Sequence, residues 1–143
     1  ITAAQVDNSS SDNCPGVTVS INNGNFNCNN LGQNTVILTA TDASGNTQSC
    51  MAIVTVVDLI PPTMTCPPAL TAVCAAGEQP VYTNFAAFIA AGGGGSDNCL
   101  IDESSFILES ETDNGQTCPR TIVRTYRLAD MSGNTATCSQ TIT

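Results

Sequence analysis

The chain has no histidine, no lysine and no tryptophan. Without histidine it lacks the usual general base of a nucleophile–base pair and the commonest ligand for zinc or haem. No Gly-x-Ser-x-Gly elbow occurs either, so nucleophilic catalysis has no support in the sequence. Positive charge is limited to Arg120, Arg124 and Arg127 against twelve acids, a formal net charge of −9. Such a surface repels nucleic acid and anionic membranes, whose binding needs basic clusters, and neither is expected as a partner. No apolar run reaches the length of a membrane span, and no signal peptide is visible. Because the chain starts at Ile1 without a methionine, it reads as a piece of something larger or as a processed product.

What is present in quantity is cysteine: eight residues and no Cys-x-x-Cys pair. That pattern fits a disulfide framework made in an oxidising compartment, outside the cell or in a periplasm, better than a metal site.

The chain also repeats itself. Ser11-Asp12-Asn13-Cys14 returns as Ser96-Asp97-Asn98-Cys99, 85 positions on (99 minus 14). Asp42-Ala43-Ser44-Gly45-Asn46-Thr47 returns as Asp130-Met131-Ser132-Gly133-Asn134-Thr135, 88 positions on (130 minus 42). Two copies of one module therefore lie in tandem, with residues 1–59 the first and 60–143 the second. Each is small enough that its core leaves little surplus stability, which is where covalent staples help.

Thr35–Thr41 and Cys50–Val57 are rich in β-branched residues and flank the Ala43-Ser44-Gly45-Asn46 turn, which predicts a β-hairpin. Val36, Leu38 and Ala40 share one face of its first strand. Val17–Ile21 reads as an earlier strand, and Ile1–Val6 as another. Asp58-Leu59-Ile60-Pro61-Pro62-Thr63 breaks the pattern as a short stiff linker. In the second module Thr83–Gly92 carries a capping residue, Phe85, Phe88 and Ile89 at helical spacing and a glycine stop, so one short helix is expected there. Its apolar face is expected to cover the open end of a sandwich. Gly92–Gly95 reads as a flexible loop; it lacks the lysine of a phosphate loop. Phe106–Glu111 and Thr121–Leu128 read as strands. The whole is predicted to be all-β: two tandem immunoglobulin-like β-sandwich modules, disulfide-stapled, with one short helix in the second.

Asp12, Asp42, Asp58, Asp97, Asp102 and Asp130 lie at turns and strand ends. Calcium, the one cofactor the sequence suggests, takes several oxygen ligands, and the alternative is that each aspartate caps its own turn. Glu109 and Glu111 alternate along a strand, but nothing builds the cleft of a glycosidase around them. Aligning the two hairpins puts Arg124 at the inward place of Val36. A guanidinium there needs acceptors, with Glu109 or Glu111 as candidate partner, unless a bulge turns Arg124 to solvent.

The Asp-x-Ser-Gly-Asn-Thr turn followed by a cysteine and a β-run, the Asp-x-x-Pro-Pro-Thr linker and Thr65-Cys66-Pro67 resemble the hyalin-repeat (HYR) family and its bacterial immunoglobulin-like relatives. Phe88–Gly93 leading to Ser96-Asp97-Asn98-Cys99, then Thr117-Cys118-Pro119-Arg120-Thr121-Ile122, is similar to repeats of very long secreted surface proteins of the Bacteroidota. The resemblance implies a Cys66–Cys138 bridge between the first and last strands of the second module. The internal repeat itself suggests Cys14–Cys28 and Cys99–Cys118. Cys50 and Cys74 are left over. Cys50 is the counterpart of Cys138, but the first module has no strand before it with a counterpart of Cys66, so completion of that module by another segment or subunit is expected, through strand addition. The implied function is a non-catalytic structural or adhesive repeat in a cell-surface stalk or filament. The alternative is a carbohydrate-binding module of a secreted enzyme, with surface polysaccharide as partner. Exposed aromatic rings would favour that alternative, and the chain has only four phenylalanines and two tyrosines.

Overall fold

The computed structural model of the protein describes residues 1–72, 78–117 and 119–143. They form two compact units, Ile1–Asp58 and Leu59–Thr143. The division falls one residue before the boundary read from the repeat.

Unit 1 is a three-stranded antiparallel sheet of order β1-β2-β3, built from β1 (Thr18–Ile21), β2 (Gly32–Thr41) and β3 (Thr47–Val56). The β2–β3 hairpin pairs Thr41 with Thr47, Leu38 with Cys50 and Gly32 with Val56. Gly45 turns it at φ 88°, a conformation that costs glycine nothing. Val36 and Leu38 face inward and are buried, as period-2 patterning requires. The N-terminal segment departs from expectation. Ala3–Val6 is a short helix, α1, in which Gln5 Oε1 accepts from the Thr2 backbone N–H. A side chain that satisfies a helix's orphan donors tips so short a segment away from a strand. Unit 1 thus has a helix too, where one was expected only in the second module.

Unit 2 is sandwich-like. One layer is the short sheet of β4 (Thr63–Thr65) and β5 (Gly94–Ser96); the other is β6 (Ile101–Asp113), β7 (Ile122–Asp130) and β8 (Thr135–Ile142) in that order, all antiparallel. Leu70 adds a parallel bridge to Ile142 on the outer edge of β8. Between the layers lies an aromatic core of Phe85, Phe88, Phe106 and Tyr126 with Leu128. Phe106 and Tyr126 stack at 5.5 Å, and Phe88 lies 5.0 Å from Phe106. The expected helix is α2 (Phe85–Ala90), capped by Asn84, whose Oδ1 accepts from Ala87 N. It buries Phe85 and Phe88 while Ile89 stays exposed, so its apolar face closes the core.

The glycine run was misread by sequence. Gly94 and Gly95 pair with Thr65 and Met64 as part of β5, so the second half of the run is strand, while Gly92 and Gly93 form the turn that leaves α2. The reason is close packing. A Cβ on Gly93 would overlap the Phe88 ring, and one on Gly95 would lie 3.0 Å from Leu128 and 3.1 Å from Phe85. At Gly93 the core reaches the backbone and leaves no room for a Cβ, and at Gly95 one would fit only if its neighbours gave way.

β6 breaks register between Asp102 and Ile107 and again between Leu108 and Ser110. Ser105 Oγ fills the first irregularity by accepting from Ala129 N at 2.7 Å. The second puts Glu109 and Glu111 in contact with arginines on opposite faces of β7, although simple alternation would give them one face.

Candidate functional site

Cys66 and Cys138 form a disulfide that ties the end of β4 to the middle of β8. Disulfides persist in oxidising compartments, and no helix among the described residues is long and apolar enough to cross a membrane. Cys28 and Cys99 are also disulfide-bonded, whereas Cys14 and Cys50 are free, exposed thiols. The expected Cys14–Cys28 bridge is therefore not formed. The repeat does not extend this far. Between Cys14 and Cys28 lies the four-residue β1, whereas the 13-residue, twice-bulged β6 follows Cys99. Cys28 opens a 3-10 turn, Cys28–Asn30. Cys118 and Cys74 lie outside the described residues.

Arg124 is only 5% exposed, inward on β7. Its Nε donates to Glu111 Oε2 at 2.7 Å and its Nη1 to the Gln79 carbonyl at 2.6 Å. Glu109 instead lies 3.4 Å from Arg127, and Asp113 takes Arg120. All three arginines are thus matched to acids of β6.

The aspartates cap their own turns. Asp12 accepts from Cys14 N, Asp97 from Cys99 N and Asp102 from Ser104 N. Asp42 Oδ1 accepts from Ser44 N and Asn46 N, and Oδ2 from Asn46 Nδ2; Asp130 repeats this set with Ser132 and Asn134. Sequence spacing did not show that the equivalent aspartates meet. Asp12 and Asp42 line one shallow cavity of about 190 Å³ in unit 1. Carboxylate oxygens of Asp97 and Asp130 lie within 4.8 Å of each other in unit 2. Asp97 Oδ1 is buried without a hydrogen-bond partner among the described residues. Asp58, the last residue of unit 1, is buried.

These turns respond to acid. The Asn46 side chain, then its backbone, holds the Asp42 carboxyl below its ordinary 3.8. At Asp130 burial pushes the other way, but the Asn134 side chain and the N–H groups of Asn134, Ser132 and Gly133 outweigh it. A lowered folded value means the turns stabilise fully above about pH 4 and lose that contribution as pH falls through the folded value. In an NMR titration, the side-chain amides of Asn46 and Asn134 should hold their shifts through pH 3.8 and move only below it. Movement centred at or above that value would refute the capping account.

Sequence reading missed the outer face of unit 1. Ile37 and Met51 are cross-strand partners, Ile53 lies beside them, and all three are exposed, Met51 to 79%. Their counterparts in unit 2, Thr125, Ser139 and Thr141, are polar, and Thr125 and Ser139 share a hydroxyl hydrogen bond of 3.0 Å. The signal was readable as the odd positions of β2 and β3, had the two copies been compared face by face.

None of the six aromatic side chains is exposed: Phe85, Phe88, Phe106 and Tyr126 are buried and Phe26 and Tyr82 half-buried. No protein-family model matches the chain, and no curated protein matches it.

Proposed function

We propose that the chain is a structural and adhesive repeat, part of a long extracellular stalk or filament related to the hyalin-repeat modules. The observation that carries this reading is the repetition of one hairpin in one register. Leu38 opposes Cys50 in unit 1 as Tyr126 opposes Cys138 in unit 2, and both turns are closed by the same aspartate–asparagine hydrogen bonds. A duplicated scaffold held by capping and disulfides puts its specificity into rigidity and length. None of the aromatic rings is exposed for stacking on a sugar, which weighs against a carbohydrate-binding module. Negative-stain imaging of native material tests the reading: rods or filaments are expected, and isolated globules would overturn it.

A further inference from the structure

In unit 2 the outer edge of β8 is covered. Leu70 N donates to Thr141 O, Ala72 N to Thr143 O, and Thr143 N to Leu70 O, each at 2.9–3.0 Å. The same segment is fixed by the Cys66–Cys138 disulfide and by Gln140 Nε2, which donates to the Pro68 carbonyl at 2.8 Å. A first strand thus lies parallel to the last strand and is bolted to it by a cysteine four residues upstream of Leu70.

Subtracting the repeat offset of 88 carries Cys138, Thr141 and Thr143 onto Cys50, Ile53 and Thr55 of β3. There the arrangement is open. β3 ends the sheet order, and among the described residues no backbone hydrogen bond reaches its outer edge. Cys50 is an exposed free thiol. Beside this edge runs a groove of about 380 Å³ lined by Ile1, Gln5, Val6, Ala52, Ile53 and Val54. Thr47–Val56 contains no charge and no proline, the devices that normally blunt an edge strand.

We infer that β3 of unit 1 is a docking edge for a strand with the chemistry of Thr63–Ala72 of unit 2, a cysteine followed four residues later by an apolar side chain. That strand lies parallel to β3, with a cysteine bonded to Cys50. Its residues four and six positions further on donate their N–H groups to Ile53 O and Thr55 O, and the apolar side chain at the first of these enters the groove. Ala52 stands where unit 2 has Gln140, so no side-chain amide helps to hold the incoming strand, which places more of the grip on the disulfide. The covalent step joins two thiols in one S–S bond. The two electrons and two protons pass to a disulfide oxidant such as oxidised glutathione, which leaves as two thiols. This rests on the reading of the chain as one unit of a module array.

The test uses the full chain and a synthetic peptide with the sequence of Thr63–Ala72, TMTCPPALTA, in a glutathione buffer. Linkage is followed by intact mass and peptide mapping. The peptide should link to Cys50 in preference to Cys14, the internal reference for an exposed thiol. Methylating the two amide nitrogens of its Leu and final Ala should lower linkage about tenfold, the loss expected for two net hydrogen bonds. Equal linkage at both cysteines, indifference to N-methylation, or a Cys50–Cys50 dimer in place of the adduct would each overturn the inference. Imaging of native material reports on the array independently, so either idea can fail alone.

Discussion

Phe88→Ala is expected to lower the unfolding free energy of unit 2 by about 3–5 kcal/mol, the range for deleting a buried aromatic side chain. Phe88 is 0% exposed and meets Phe85, Phe106, Tyr82 and Tyr126 in ring contacts, so four other rings border the cavity it would leave. Small domains seldom hold more than a few kcal/mol in reserve, and loss of the folded unit at 37 °C is the expected consequence. Tyr82 and Tyr126 both belong to unit 2, so tyrosine emission during urea unfolding reports on that unit alone. Gly93→Ala attacks the same spot from the other side. Its new methyl would overlap the Phe88 ring, and the cost of overpacking is about 1–3 kcal/mol. Because both changes act on one volume, Phe88→Leu combined with Gly93→Ala should cost less than the two effects added. Strict additivity, or a Phe88→Ala loss below about 1 kcal/mol, would show that the ring is not the centre of the core.

Replacing both Cys66 and Cys138 by serine should have a comparable effect. The bond joins residues 72 apart in sequence, and releasing a loop of that size returns about 4 kcal/mol of chain entropy to the unfolded state in the loop-closure account. It also frees the segment whose Leu70 and Ala72 pair with β8, so the edge of that strand should gain amide exchange first. Cys50→Ser is the matched control. It changes the repeat counterpart of Cys138, but Cys50 is a free exposed thiol, and a surface change of that kind stays within about 0.5 kcal/mol. Melting of the two variants under non-reducing conditions separates them; equal losses would mean that the contribution does not come from the cross-link.

By itself the sequence determined what local chemistry governs. The Asp-x-Ser-Gly-Asn turns, the β-branched runs around them and the capped Phe85–Ala90 helix were legible because each is specified by residues a few positions apart. The inward place of Arg124 was legible too, because period-2 alternation and the repeat together fix a face. Tertiary structure decided whatever depends on distant packing. It made a strand of the second half of the glycine run, where Gly94 and Gly95 pair with β4 and Leu128 and Phe85 pack close against Gly95. It sent Glu109 and Glu111 to different arginines through a bulge that no periodicity announces. It made a helix of the N-terminal residues, which the sequence had suggested as a strand. It left Cys14 unpaired, because a cysteine's partner is set by proximity in space and the spacing after Cys14 does not follow the repeat. Residues close in sequence constrain one another directly, whereas contacts across a core depend on where the other layer lies, and a single chain of letters does not contain that distance.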